Sequence, residues 1–306
     1  MNKNKSNNKK SKKKYKTPVI LHLFRFIFRY LGAIFPALTG RWASQLWYRT
    51  NRITMPKIEE EWLSSAKTEA VNIQCETLNN QSLSVMTYYW NNTSNADAPL
   101  IMLVHGWTGR ASQMGAFADP LLKAGFSVLA FDNHAHAQTA GKATNIFIQS
   151  EVQRKLSDIY GPVYGVVAHS FGGMVTPYSL SHGMQTEKVV CISPPARFYY
   201  LLERFSQTLH LPEKVQQDIM KRFKKEYGDD LVDHISSTYT SKQFGHIPAL
   251  IIHDEDDTDV PLSEGELLHQ AWPNSIFKRT QELGHRRILF DEGVIKTSVD
   301  FLKLRA

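Results

Sequence analysis

The chain has 306 residues, 42% apolar and 21% charged, which suits one large or two modest folded domains and excludes a chain disordered throughout. Its two cysteines, Cys75 and Cys191, form no Cys-x-x-Cys pair, which fits a reducing compartment and excludes a disulfide scaffold or a cysteine zinc site. The net charge of +7 would suggest nucleic acid, but residues 1–16 hold eight lysines and no acid, and the rest sets 28 of the 36 basic residues against 29 acidic ones.

The basicity is therefore a tail, and no nucleic-acid partner is expected. Residues 1–16 are Lys, Asn and Ser with little to bury, so a disordered tail is predicted. Residues 18–38 are strongly apolar, yet Arg25 and Arg29 interrupt them. At helical spacing His22, Arg25 and Arg29 share one narrow stripe, which reads as an amphipathic helix and not as a clean span. The same arginines break any signal-peptide core, and no convincing cleavage site follows. Two readings stay open: a helix lying on a membrane, with the tail drawn to anionic lipid, or an arm packed on the body. Localisation is accordingly read as cytoplasmic, with peripheral inner-membrane contact through residues 1–38 under the first reading. A second helix is predicted over 40–50, where Trp42, Leu46 and Trp47 recur at helical spacing. Residues 17–68 together read as an N-terminal helical arm.

From residue 69 the pattern changes. Segments 71–78 and 82–90 alternate about Asn79-Asn80-Gln81 and predict a hairpin. Short apolar runs follow at 100–105, 126–132, 163–169, 188–193, 249–254 and 275–280, as expected of strands buried on both faces of a parallel sheet. Helices are predicted near 113–124, 146–159, 171–183, 262–271 and 290–304. This alternation implies an α/β fold with a doubly wound, mostly parallel sheet. The core is read as 69–193 and 249–306. The stretch between, 194–248, is too long for a bare loop and rich in helix formers, so it reads as a helical lid.

Ala168-His169-Ser170-Phe171-Gly172 follows a predicted strand and opens a predicted helix. Small residues two before and two after a serine suit a sharp strand-to-helix turn, which lifts the Ser170 hydroxyl above the sheet. The same turn aims the Phe171 N–H at a developing oxyanion. Alone the pattern is a weak signal. The strand ending in His105-Gly106-Trp107-Thr108-Gly109-Arg110 adds to it, because this tight loop can supply a second donor, the Trp107 N–H. His105 precedes the loop and reads as a structural hydrogen-bonding residue.

A serine hydroxyl needs a base near neutral pH. Among twelve histidines His285 is placed for it, in a loop after the last predicted strand. An orienting acid belongs between serine and base in chain order, after a late strand. The cluster Asp254, Glu255, Asp256, Asp257 and Asp259 stands there, and Asp257 is the choice, with Asp259 its main rival. The calcium reading of this cluster fails, since an EF-hand loop needs Gly and Glu where Asp259 and Gly265 stand. His134 and His136 could ligate zinc, but no third ligand stands at a familiar spacing.

With these residues in order, the chain resembles the α/β-hydrolase superfamily over roughly 70–305. The landmarks are His105-Gly106-Trp107, Asp132 to Thr139, Ala168 to Gly172, Asp257 with Val260-Pro261, and Gly284-His285. The resemblance implies Ser170 as nucleophile, His285 as base, Asp257 as orienting acid, and an oxyanion hole from the N–H groups of Trp107 and Phe171, with His105, Gly106 and Gly172 in support. It implies no cofactor and no metal. HGWTGR and LGHRRIL further resemble a bacterial group of predicted hydrolases or acyltransferases, members of which often carry a helical N-terminal arm. Two departures are noted. Ala135 and Ala137 replace glycines in the family's Asp-x-x-Gly-His-Gly-x-Ser turn, and Pro177 falls within the helix after the elbow, where it should kink or shorten it.

The function expected is a serine hydrolase acting on a small-molecule acyl ester or thioester through an acyl-enzyme. An acyltransferase using the same triad is the alternative, and a non-catalytic membrane-associated scaffold is a third reading. Phe198, Tyr199, Tyr200 and Phe205 in the lid either line an acyl pocket or form lid core, the latter being favoured. Oligomeric state is not legible.

Overall fold

The computed structural model describes residues 19–95 and 97–304, and the tail of residues 1–16 lies outside them. It opens on two helices, α1 (Val19–Ile34) and α2 (Pro36–Trp47). The second begins before the predicted residue 40. Pro36 lacks the N–H that would continue α1, yet proline suits a first helical turn, so the break falls at Phe35. After α3 (Lys57–Leu63) come β1 (Lys67–Cys75) and β2 (Gln81–Trp90), an antiparallel hairpin as predicted. Asn79 and Asn80 take positive φ in its turn, a conformation asparagine tolerates well.

Alternation then runs through β3 (Leu100–Val104), α4 (Ala118–Lys123), β4 (Ser127–Phe131), α5 (Ile146–Tyr160), β5 (Val163–His169), α6 (Gly172–Ser181) and β6 (Lys188–Ile192). Four helices fill the insert: α7 (Phe198–Leu209), α8 (Glu213–Tyr227), α9 (Leu231–Ile235) and α10 (Ser237–Thr240). The chain closes with β7 (Ala249–Asp254), α11 (Leu262–Ala271), β8 (Ser275–Thr280), α12 (Gly284–Arg287) and α13 (Glu292–Lys303).

The strands make one eight-stranded sheet in the order β1-β2-β4-β3-β5-β6-β7-β8, parallel from β4 to β8, with β2 antiparallel to its neighbours. This is the α/β-hydrolase fold. β5 lies centrally, with Ala168 paired to Val104 on one side and Cys191 on the other. The residues after it therefore emerge at the C-terminal edge of the sheet, where open α/β sheets bind ligands. β3, β4, β6 and β7 are wholly buried, as expected. β8 is not: Ile276, Lys278 and Arg279 are exposed, because it is the edge strand and only one face is covered. Pro177 does not end α6, which runs on to Ser181, and the Gly173 carbonyl that a proline leaves unpaired lies within reach of the Ser237 hydroxyl.

Apolar cores cover both sheet faces, and a third joins the N-terminal helices to the insert through Phe28, Ala43, Met174, Val215, Ile219 and Phe223. Gly32 lets α1 press close, since a Cβ there would lie 3.0 Å from the Val215 side chain. The Arg25 Nε–H donates to the Thr208 carbonyl at 2.8 Å. One side of α1 thus packs on the body. Among the described residues no helix is long and apolar enough to cross a membrane.

Candidate active site

The C-terminal end of β5 turns directly into Ser170, whose φ of 52° is one that non-glycine residues rarely adopt. The Ser170 N–H donates to the Ile192 carbonyl at 2.9 Å and ties the turn to β6. Neighbours have to be small here. A Cβ on Gly172 would sit 2.7 Å from the Val104 carbonyl oxygen, and one on Gly106 would sit 2.7 Å from the Ser170 Cβ. Those contacts account for Gly106 and Gly172 beside the serine.

His285 enters from α12. Its Nε2 lies 2.9 Å from Ser170 Oγ and its Nδ1 lies 2.7 Å from Asp257 Oδ2. Asp257 Oδ1 accepts the N–H groups of Asp259 at 2.9 Å and Val260 at 2.8 Å, which fixes the carboxylate plane. Burial alone would raise this carboxyl's pKa. The neighbouring His253 ring, the hydrogen bond to His285 and the Val260 N–H outweigh it, so the group is held well below the usual carboxylate range and stays ionised. Asp259, the rival, is exposed.

Three further groups surround this line and were not singled out from sequence. The His169 Nε2–H donates to the His285 carbonyl at 2.9 Å. Burial foremost, with His285 nearby, pushes the His169 pKa down to about 3, so the ring is neutral. The His253 Nε2–H donates to the Val260 carbonyl at 2.9 Å and lies 3.6 Å from Asp257 Oδ2. The third is Asp254, the first acid of the cluster and the last residue of β7. It is fully buried. It accepts from the Gly284 N–H at 2.8 Å, the Leu283 N–H at 3.2 Å, the Thr280 hydroxyl at 2.7 Å and the Asp256 N–H at 3.0 Å. It therefore ties down the loop that carries His285. All three residues stand at the last or next-to-last position of their strands, which is the signal that could have found them.

Near Ser170 Oγ, the Trp107 and Phe171 N–H groups donate to no described residue. The two rings meet edge to face at 5.2 Å. The loop that carries Trp107 is held from behind. The Thr108 N–H donates to His136 Nε2 at 3.1 Å, and the His136 Nδ1–H donates to the His134 carbonyl at 2.9 Å. Burial pushes the His136 pKa down to about 4, which keeps the ring neutral and able to accept. Both of its nitrogens are thus engaged, which argues against His136 as one half of a His134–His136 zinc pair. His105 donates from Nδ1 to the Gly106 carbonyl at 2.8 Å and accepts the Asn133 N–H at 3.0 Å, so it faces the loop backbone, away from the serine. Ala135 and Ala137 take φ of 63° and 37°. The turn keeps its left-handed residues although alanine pays roughly 1–2 kcal/mol for each.

A cavity of about 230 Å³ opens at Ser170. Its walls include Trp47 and Tyr48 beside α2's end, Met174, Phe198, Phe205 and Phe223, and no charged residue lines it. The four lid aromatics divide. Phe198 and Phe205 face the cavity, Tyr199 is exposed, and the Tyr200 hydroxyl donates to the Asp259 carbonyl at 2.5 Å.

Comparison with known proteins agrees with this architecture. A model of the alpha/beta hydrolase family matches residues 101–292. An esterase from Pyrococcus furiosus superposes with a TM-score of 0.59 at 24% identity, covering 84% of this chain and 97% of its own. A serine hydrolase from Cycloclasticus zankles gives 0.54 at 19%, covering 78% and 97%. Est1E from Butyrivibrio proteoclasticus, solved with ferulic acid bound, gives 0.55 at 16%, covering 76% and 96%. At such identities the likeness is one of fold. Among curated proteins none matches the chain.

Proposed function

The chain belongs to the alpha/beta hydrolase family, and from that premise we propose that it is a serine hydrolase cleaving an acyl ester or thioester through an acyl-enzyme. The observation that carries this reading is the unbroken line Asp257 Oδ2, His285 Nδ1, His285 Nε2, Ser170 Oγ, with spacings of 2.7 and 2.9 Å, at the mouth of an apolar cavity.

Ser170 Oγ attacks the acyl carbonyl carbon while His285 Nε2 takes the hydroxyl proton. The carbonyl oxygen gains the negative charge and lies against the N–H groups of Trp107 and Phe171. His285 then gives its proton to the departing alcohol or thiol, leaving the acyl group on Ser170. A water, losing its proton to His285, cleaves that ester and restores the serine. Asp257 keeps the Nδ1 proton facing itself and stabilises the imidazolium. The uncharged lining favours a neutral, apolar acyl group over one bearing a carboxylate or phosphate.

A fluorophosphonate probe and a panel of p-nitrophenyl esters of rising chain length test the reading. Covalent labelling and ester turnover are expected, both abolished in Ser170→Ala with the melting temperature little changed. An unlabelled wild-type enzyme, or a Ser170→Ala variant with full turnover, would overturn it.

A further inference from the structure

The residues of α1 fall into three strips. Phe28 and Gly32 are buried against the insert, and Phe24 packs with Trp42. His22 and Arg29 are exposed on a polar strip, beside Arg25, which bonds to Thr208. The third strip is apolar and uncovered. Val19, Leu23, Phe26, Tyr30 and Ile34 recur at three- and four-residue spacing and all stand in solvent, with Val19 85%, Phe26 62% and Ile34 67% exposed. Phe35 and Leu38 extend this surface onto the start of α2, Leu38 being 69% exposed. Large apolar residues so closely grouped mark an interaction site.

Charge identifies the occupant. Residues 1–58 hold 14 of the 36 lysines and arginines and none of the 29 acids. Eight of those lysines lie in residues 1–16, just before the helix. A second copy docking through this strip would set the same face against itself about a two-fold axis, and two such basic segments would repel. An anionic lipid surface meets both features, taking the apolar side chains between headgroups and the lysines against phosphate. At 16 residues α1 is about 24 Å long, too short to cross a bilayer but suited to lie along one.

We infer that α1 is a docking helix for anionic membranes, and that the enzyme works at their surface on neutral acyl esters held there. The substrate half of this inference rests on the hydrolase reading, while the docking half does not. The two halves are joined by the arm itself, because the chain leaving α1 through α2 supplies Trp47 and Tyr48 to the cavity wall.

The test uses full-length Ser170→Ala, so that docking is measured without chemistry. Sedimentation with vesicles of phosphatidylcholine alone and of phosphatidylcholine with phosphatidylglycerol is compared. Binding to the anionic vesicles only is expected, falling as salt rises. Lys12→Gln, Lys13→Gln and Lys14→Gln together should lower the partition coefficient about 100-fold, given about fivefold per lysine. Leu23→Glu with Phe26→Glu should abolish binding, with helical content and melting temperature kept because both side chains are exposed. Absence of binding to either vesicle, or binding untouched by Leu23→Glu with Phe26→Glu, would overturn the inference. So would analytical ultracentrifugation showing a dimer that this pair of substitutions dissociates. Wild-type turnover of a soluble p-nitrophenyl ester is measured separately. If it is absent while the vesicle results hold, the hydrolase reading fails and the docking stands.

Discussion

Asp257→Asn tests the proposed relay most sharply, because the surrounding bonds dictate how the new amide must sit. Oδ1 of Asp257 accepts two backbone N–H groups, from Asp259 and Val260. In the variant only the amide oxygen can accept them, so the NH2 takes the place of Oδ2, 2.7 Å from His285 Nδ1. An NH2 there needs a lone pair on Nδ1. The ring proton then moves to Nε2 and points at Ser170 Oγ, where the reaction needs a lone pair. In a serine-protease triad this tautomer error costs about 10⁴ in turnover, or roughly 5 kcal/mol of barrier. A loss of that order is expected in kcat for a p-nitrophenyl ester at saturation. The melting temperature should fall only a few degrees, since both backbone bonds survive. Asp259→Asn, altering an exposed side chain, should stay within a factor of about two. The reasoning is refuted if Asp257→Asn keeps more than about a tenth of wild-type turnover, or if Asp259→Asn falls as far.

Asp254→Asn should cost about 2–4 kcal/mol in chemical denaturation, because an amide oxygen cannot accept all of the donors that converge on this buried carboxylate. Burial would raise the Asp254 pKa, but those donors hold it below the ordinary value. Its contribution is therefore present above the ordinary carboxylate pKa of about 4 and lost as pH falls through the lower folded value. Melting temperatures measured from pH 6 to 3 should drop less steeply in Asp254→Asn than in wild type, and parallel curves would refute this. His136→Ala removes the acceptor behind the Trp107 loop and should lower kcat about 10-fold with KM little changed, less than the 10²–10³ typical of losing an oxyanion donor. An unchanged kcat would show that the loop holds without it. Trp47 meets Phe198, Phe205 and Phe223 at 5.2–5.8 Å across the cavity wall. Trp47→Leu should shift the preferred ester toward longer acyl chains, read as kcat/KM across the p-nitrophenyl series, and an unmoved optimum would exclude Trp47 as a determinant.

What was legible in the sequence follows a physical division. Strand runs such as Leu100–Val104 show because burial on both faces leaves no polar residue in them. Ser170 shows because its turn excludes bulk at Gly172, and the spacing of small residues survives as a motif. Asp257 could be separated from Asp259 by its distance to Val260-Pro261, and the structure buries the first and exposes the second. The supporting groups were not legible, for a common reason. The work of His169, His253 and Asp254 depends on which way a ring or carboxylate turns at the end of a strand, and one-dimensional spacing carries no such direction. β8 was grouped with the buried runs on Ile276 and Phe277 alone, although Lys278 and Arg279 already mark it as a strand at the edge of the sheet.

The two readings of residues 18–38, arm or membrane helix, are compatible with one geometry: α1 packs one side on the body and leaves another apolar side uncovered. A helix packed on one surface needs a single apolar strip, and α1 has apolar side chains around most of its circumference. Phe28 and Gly32 satisfy the insert, and Val19, Leu23, Phe26, Tyr30 and Ile34 remain outside. Folding alone does not require those outer residues. Leaving them in water raises the risk of aggregation, a hazard that surface polar residues would remove at no cost to the inner strip. Their presence is better explained by a second surface than by the first. If α1 docks on a membrane as inferred, the arm that closes the cavity wall with Trp47 and Tyr48 is also the part of the chain that meets the lipid, and a change on the outer strip of α1 should then alter access to the cavity without touching Ser170, His285 or Asp257.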